Sequence, residues 1–370
     1  MGEYSQLDYR FMAKALCLAE QGRYSAHPNP MVGCVLVNNG QVVGQGWHRK
    51  PGEGHAEIVA LQSAAEQRKG ATAYVTLEPC CHHGRTGPCT EALIDAGVAR
   101  VVCAMEDPFP EVAGQGIAKL QQAGIEVEVG LLREQAEHLN RSFLMRIQQG
   151  RPFIRCKMAM SLDGRTAAAD GSSQWITSAA ARCDVHHLRA QSAAIMTGIG
   201  TVLHDDPSLT VRAEDEALAA LLQQDYFEQP KRVVLDSQFR LPNTAKMLSL
   251  PGETWAATLK PHAAFEREEL KVIAGQACAS QLDLQDVLRQ LAMKQINSVL
   301  VEAGPTLSGA LIEQDLVDEL IIYVAPKLLG DGGKALFALP ALQNISQCRE
   351  LEINDIRAVG VDWRITANIK

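Results

Sequence analysis

"GHAEIVALQSAAEQRKGATAYVTLEPCCHHGRTGPCTEALIDAGVARVVCAM", residues 54–105, decides the fold. Its apolar spacing predicts a helix over 55–67, a strand over 71–79, a helix over 89–98 and a strand over 99–105. Strands that alternate with helices build an α/β sheet with helices packed on its faces. Working outward, Leu7, Phe11, Ala15 and Leu18 recur at helical spacing. Residues 31–47 read as two short strands around Asn39-Gly40, a strong hairpin signal. Downstream, residues 116–124 predict a helix, 125–130 a strand, and 133–150 one long helix that stops at Gly150 before Arg151-Pro152. That stop divides the chain into expected domains 1–149 and 150–370.

The second half opens on a strand over 152–161 and a turn at 162–165. Further apolar strands are expected at 192–198, 231–237, 254–259, 298–304 and 319–330, with helices such as 180–191 between them. This is a second α/β unit. Residues 213–230 read as a polar helical excursion. Two domains also suit a chain of 370 residues.

Bulk properties narrow the class of function. A hydrophobic share of 46% with 21% charged residues is that of an ordinary globular protein. The net charge of -8 argues against a nucleic-acid partner, which calls for a basic face. Glu3, Asp8, Arg10, Lys14 and Glu20 interrupt any apolar leader core, Gln6 stands where a myristoylation signal wants Ser or Thr, and no run is long enough for a membrane span. Ten scattered cysteines then read as cytosolic thiols or metal ligands, so a cytoplasmic protein is expected, with no membrane partner.

Residues 54–105 also carry the chemistry. A catalytic zinc ion takes three Cys or His ligands and leaves a fourth position to water, whose pKa it lowers to about 7. Deamination further needs a group that passes a proton to the departing amine, and a carboxylate suits that task. His55 and Glu57 lie together on the first turn of the expected helix. Cys80 follows Pro79 at a strand end, and Cys89 opens the next helix, whose N-terminus favours a thiolate. His-x-Glu followed by Pro-Cys and a second Cys is the known arrangement of zinc deaminases. A purely structural zinc site is the alternative, with Cys81, His82 and His83 as spare ligands, but it would have no use for Glu57. The two cysteines stand nine apart, so the intervening loop, which carries Arg85, could grip a phosphorylated substrate.

In the second half, "SVLVEAGPTLSGALIE" (298–313) runs from an apolar strand through Gly304-Pro305-Thr306 into a helix. Amides at that helix start, with the Thr306 and Ser308 hydroxyls, would suit a pyrophosphate; a well-capped helix is the alternative. "MSLDGRTA" (160–167), "GSSQWITS" (171–178) and "TGIGTVLHDDPSLTVR" (197–212) cluster small, hydroxyl and charged residues at expected strand ends, where ligands sit in open α/β sheets. Arg189 and Arg212 could clamp a phosphate. No complete Gly-x-Gly-x-x-Gly opens a helix after a strand.

"TLEPCCHHGRTGPC" (76–89), "HPNPMVGCV" (27–35) and "EDPFPEVAGQG" (106–116) resemble the deaminase half of the bifunctional riboflavin-biosynthesis enzymes. That family joins a diaminohydroxyphosphoribosylaminopyrimidine deaminase to a 5-amino-6-(5-phosphoribosylamino)uracil reductase. The resemblance implies a cytidine-deaminase-like α/β/α sandwich followed by a dihydrofolate-reductase-like α/β domain. It implies His55, Cys80 and Cys89 as Zn2+ ligands, Glu57 as proton shuttle and Asn29 as a contact to the substrate ring. The three second-half segments resemble the reductase half, which uses NADPH. The resemblance places Ala159, Trp175, Thr201, Asp205 and Ser237 along the cofactor and Gly304, Pro305, Thr306, Leu307, Ser308, Gly309 and Ala310 on its phosphates. Ser173, Arg189, Leu209, Arg212 and Glu302 match substrate positions, the arginines facing the ribose phosphate. Departures from the family pattern are Gly87, Phe109 and His204. The implied partner is a phosphoribosylamino-pyrimidine, and a homo-oligomer is expected. A nucleic-acid base deaminase and a zinc-stabilised scaffold are the rivals.

Overall fold

The computed structural model describes residues 4–82, 87–109, 113–173, 175–262 and 267–370. Contacts divide the chain into two compact units, Met1–Gly150 and Arg151–Lys370.

In the first unit, α1 (Gln6–Ala19) leads to β1 (Gly33–Asn38), β2 (Gln41–Trp47), α2 (Ala56–Ala64) and β3 (Thr72–Val75). α3 (Cys89–Asp95), β4 (Arg100–Cys103), α4 (Gln115–Gln122), β5 (Glu126–Val129), α5 (Arg133–Leu139) and α6 (Arg141–Gln149) follow. The sheet runs β2-β1-β3-β4-β5, antiparallel through the first three strands and parallel from β3 onward. Asn39 and Gly40 both take positive φ, as the primed two-residue hairpin turn requires. Ala60, Leu61, Leu93 and Leu120 cover one face of the sheet, and Phe11, Met12, Ala15 and Ala136 cover the other. The result is an α/β/α sandwich. The expected single helix over 133–150 is broken: Asn140 leaves helical geometry at φ −99°, ψ 13°. Its buried side chain is engaged instead, accepting from Met31 N–H and donating to Met31 C=O.

The second unit comprises β6 (Phe153–Ser161), β7 (Arg165–Ala167), α7 (Ala179–Ala190), β8 (Ala194–Gly198), α8 (Ile199–Asp205), α9 (Glu216–Leu222), β9 (Lys231–Leu235), β10 (Thr254–Thr258) and β11 (Leu270–Ala274). It continues with the short pair β12 (Ala277–Cys278) and β13 (Gln281–Leu282), α10 (Leu284–Met293), β14 (Ser298–Val301), α11 (Pro305–Glu313), β15 (Glu319–Ala325), β16 (Lys334–Ala335), β17 (Leu351–Val359) and β18 (Asp362–Ile369). Nine strands form one sheet, β11-β10-β9-β8-β14-β6-β15-β18-β17, parallel from β11 to β15 and closed by an antiparallel hairpin. The parallel strands are mostly apolar because helices cover both faces. α9 is more than a surface excursion, since Leu218 and Leu221 are buried. The β17–β18 hairpin was not expected; β17 is exposed along nearly its whole length, and a register irregularity between Ile353 and Asp355 interrupts its alternation.

One close approach fixes the height of α2 on the first sheet. A Cβ at Gly46 would lie 2.5 Å from the Ala56 carbonyl oxygen and 2.6 Å from the Ala60 nitrogen. Backbone cannot rotate away as a side chain can, so only glycine lets the first turn of α2 rest on β2. We expect Gly46→Ala to lower the stability of the first unit by at least the ~1–3 kcal/mol typical of overpacking, seen as a lower urea midpoint at constant m-value. An unchanged midpoint would show that α2 can lift off the strand without cost.

Candidate functional site

The N-termini of α2 and α3 bring the first group together. His55 occupies the cap position of α2, with extended backbone and no side-chain capping bond, so its imidazole is free to turn elsewhere. Cys89 opens α3, and Cys80 ends the segment leaving β3. His55 Nδ1 lies 3.4 Å from Cys80 Sγ and 3.3 Å from Cys89 Sγ, and the Cys89 N–H donates to Cys80 Sγ at 3.3 Å. Zinc bonded to sulfur at ~2.3 Å and nitrogen at ~2.0 Å in a tetrahedron separates S and N by about 3.5 Å. The three atoms, all within 4.8 Å of one another, therefore fit one tetrahedral ion, with one corner left over. Cys81 is half-buried and His82 exposed, and neither joins the cluster. His83 and Arg85 lie outside the described residues, as do Pro110–Val112 and Gln174 of the quoted motifs.

Glu57 lies buried beside this group. Burial, and then the charge of Cys80, raise its carboxyl to about 7, against the partial relief of a hydrogen bond with Cys89. A carboxyl titrating near neutrality can both take and release a proton. Asn29 Nδ2 sits 3.0 Å from His48 Nε2, and the His48 ring meets the His55 ring edge-on at 5.5 Å. His48 is buried and its pKa is lowered, chiefly by that burial, so it is a neutral partner. Nothing in the sequence around His48 singles it out. Glu78 was missed as well: its carboxylate accepts from the backbone N–H groups of Asp107, Gly114, Gly116 and Ile117. One buried acid thus ties the 106–116 motif to the strand end that presents Cys80.

In the second unit, a cavity of about 980 Å³ opens at the carboxyl ends of β6, β8, β9 and β14. Ala159, Ser173, Trp175, Arg189, Thr201, Asp205, Leu209, Arg212, Ser237 and Glu302 line it, as do Gly304, Pro305, Thr306, Leu307 and Ala310 at the start of α11. Ser308 and Gly309 do not. Ser308 is fully buried with its hydroxyl directed at Met158 Sδ, and a Cβ at Gly309 would strike the Ala338 carbonyl at 2.2 Å. On a helix only part of each turn can face the cavity, so a run of consecutive residues cannot all line it.

Arg189 also differs from the phosphate clamp expected. Its guanidinium forms a bidentate pair with Glu302 at 2.6 and 3.0 Å and donates to the Thr210 carbonyl at 2.9 Å. Arg212 keeps a side chain 54% exposed, with Glu214 at 3.1 Å, and is the arginine open to a ligand. Burial alone would raise the Glu302 carboxyl, but Arg189 outweighs it and holds the group down to about 2. His186 stands at the same wall, accepting the Arg212 N–H at Nδ1; burial, then the charges of Arg189 and Arg212, push it down to about 4. Lys157, missed by the sequence reading, lines the cavity from β6; burial lowers its pKa against the attraction of Glu302. A lysine on a central parallel strand is itself a signal, because such strands run apolar.

Residues 5–105 match the cytidine and deoxycytidylate deaminase zinc-binding region, and residues 152–365 match the RibD C-terminal domain. The riboflavin biosynthesis protein RibD of Escherichia coli is 52% identical over 96% of this chain and 97% of its own length. That of Haemophilus influenzae is 47% identical over 99% and 98%. The chain belongs to the RibD family. Among solved structures, form 1 of RibD from Acinetobacter baumannii superposes with a TM-score of 0.90 at 44% identity, covering 99% of both chains. A diaminohydroxyphosphoribosylaminopyrimidine deaminase/5-amino-6-(5-phosphoribosylamino)uracil reductase from Thermotoga maritima does so at 0.86 and 31% identity, covering 98% of this chain and 99% of that one. RibD proteins pair a deaminase with a reductase in riboflavin biosynthesis, and zinc and NADPH are the cofactors of the two halves. The two expected fold types are those of this family.

The Arg189–Glu302 pair makes the second unit's stability depend on pH. A carboxyl whose folded pKa is depressed contributes fully above its ordinary value of 4.5, and that contribution fades as pH falls toward about 2. The shift corresponds to about 3 kcal/mol. We expect Glu302→Gln, which strands a buried guanidinium, to cost the second unit about 3–5 kcal/mol near neutral pH, with the gap to the unsubstituted protein narrowing on acidification below 4.5. Urea unfolding across that range reads it; a gap independent of pH would show that the pair is not what stabilises the unit.

Proposed function

We propose that the chain catalyses two consecutive reactions of riboflavin biosynthesis. The first is hydrolytic deamination of 2,5-diamino-6-(5-phosphoribosylamino)pyrimidin-4-one; the second is reduction of the ribosyl side chain of the product to ribityl. The observation that carries the reading is the convergence of His55, Cys80 and Cys89 on one tetrahedral position with the Glu57 carboxyl beside it.

In the first reaction, His55 Nδ1 and the two thiolates would hold zinc. When bound, the ion supplies the Lewis acidity that makes water a nucleophile at neutral pH. Glu57 takes the proton that water gives up and returns it to the departing amine, so that ammonia leaves and a carbonyl remains. Asn29, held by neutral His48, orients the pyrimidine ring. A structural zinc site would have no use for a buried carboxyl beside its ligands.

In the second reaction NADPH supplies the hydride that reaches the anomeric carbon. The open N-terminus of α11 at Gly304, Pro305 and Thr306 receives its phosphates, with Leu307 and Ala310 behind them. Ala159, Thr201, Asp205 and Ser237 line the rest of the cofactor's course, under the exposed ring of Trp175, over which Arg182 stacks at 4.4 Å. Ser308 and Gly309 support that helix from behind. Ser173, Leu209 and Arg212 face the substrate, Arg212 taking the ribose phosphate, while Arg189 positions Glu302. Glu302 is ionised at neutral pH and so does not donate the proton. Lys157, half-buried and lining the cavity from β6, is the side chain placed to donate it.

No helix among the described residues is long and apolar enough to cross a membrane, in keeping with a cytoplasmic enzyme that acts on a small molecule. Leu351, Ile353 and Ile356 leave the outer strand β17 both unpaired on one edge and apolar, which supports association of copies into a homo-oligomer.

We expect Glu57→Gln to lower ammonia release by at least ~100-fold while zinc content and NADPH oxidation on supplied deaminated substrate stay unchanged. Chelator should reproduce the first effect and spare the second. Ammonia release that survives the substitution would sink the assignment of the first unit.

A further inference from the structure

Outside the two sites described, one other group of metal-binding atoms converges among the described residues. Cys183 and His187 lie one turn apart on α7, and both face Asp215, which caps α9. His187 Nε2 is 2.7 Å from Asp215 Oδ2, and Cys183 Sγ is 3.3 Å from the same oxygen. The other carboxylate oxygen, Oδ1, accepts the Leu218 N–H at 2.8 Å. The capping task thus falls to one oxygen and leaves its twin directed at the thiol and the imidazole.

We propose that Cys183, His187 and Asp215 form a second metal site, for a divalent ion of zinc's class. The three ligand atoms lie within 4.8 Å of one another. Around tetrahedral zinc, an S–O edge is about 3.5 Å and an N–O edge about 3.3 Å, so the Cys183 contact already fits and the His187 contact needs to open by about half an ångström. A thiolate, an imidazole and a carboxylate are a borderline donor set that selects zinc, cobalt or nickel over the oxygen-seeking magnesium and calcium. A fourth corner is left to water.

The position gives such an ion a consequence. α7 carries His186 and Arg189 to the wall of the second cavity, and Arg212 lies three residues before Asp215. An ion here would fasten the 213–230 excursion to that helix and hold the Arg212 backbone, whose N–H already meets His186. It would be a positioning site, remote from the reacting atoms.

The test is zinc content of the full-length chain after saturation and desalting, read by elemental mass spectrometry. The unsubstituted protein should retain about two zinc ions per chain, and Cys183→Ser, Asp215→Asn and His55→Ala about one each, since each removes a ligand from one site. Asn is as good a helix cap as Asp, so Asp215→Asn keeps α9 in place and reports on the charge alone. Added zinc should raise the melting temperature of the second unit in the unsubstituted chain and in His55→Ala, and not in Asp215→Asn. One ion in the unsubstituted protein, or no loss on Cys183→Ser and Asp215→Asn, overturns the proposal. Because His55→Ala reads the first site separately, failure of one site leaves the other's result standing.

Discussion

Two thiols each within about 3.4 Å of one imidazole nitrogen, with a buried carboxyl alongside, form an arrangement that resists its own assembly. Without an ion, like charges and desolvation oppose it. The first unit answers with geometry. Two helices begin at the cluster, and their N-terminal dipoles favour anionic sulfur. The Cys89 amide is spent on Cys80, and the absence of a side chain at Gly46 lets α2 come down onto the sheet. Each device is modest alone. Together they hold three donor atoms at the spacing of a tetrahedral ion, which then removes the repulsion it was assembled against.

The second unit solves a similar problem by pairing. Glu302, just past β14, and Arg189 on α7 are both largely shielded from water, where an isolated charge of either sign would be costly. Bound to each other they form a fixed, ionised floor under the cavity, and the neutral His186 and the cation Lys157 complete it. The field of this floor is set before any ligand arrives. Electrostatic effects act most strongly where the groups need not reorganise.

Much of this was legible in the chain because the informative residues are local. His55 with Glu57, and Pro79-Cys80 with Cys89, carry their chemistry in their spacing, and the alternation of apolar strands and helices carries the α/β class. What escaped depended on partners far away in sequence. The helix over 133–150 looks continuous until Met31, 109 residues away, claims the Asn140 side chain. Arg189 reads as a phosphate ligand until Glu302, 113 residues on, occupies it. Lys157 was overlooked inside a strand whose other charged member, Arg155, is accounted for by Glu319 on the neighbouring strand. β17 escaped because a register irregularity between Ile353 and Asp355 breaks the apolar alternation of Leu351, Ile353 and Ile356.

Glu57 and Glu78 show how one residue type is given opposite duties within a single unit. Both are buried acids flanking the same cluster, 21 positions apart in the chain. Glu78 is surrounded by backbone N–H groups from Asp107 to Ile117, and those bonds fix the following loop against the strand that ends in Cys80. Glu57 is buried instead where that burial, followed by the charge of Cys80, raises its carboxyl to about 7 against the relief given by His55, its own backbone N–H and Cys89. Glu78 is engaged as an acceptor by four backbone amides, whereas Glu57 stands where it can take and release a proton. The division between a bracing acid and a proton-carrying acid therefore follows from where the backbone N–H groups of Asp107, Gly114, Gly116 and Ile117 converge, which is on Glu78.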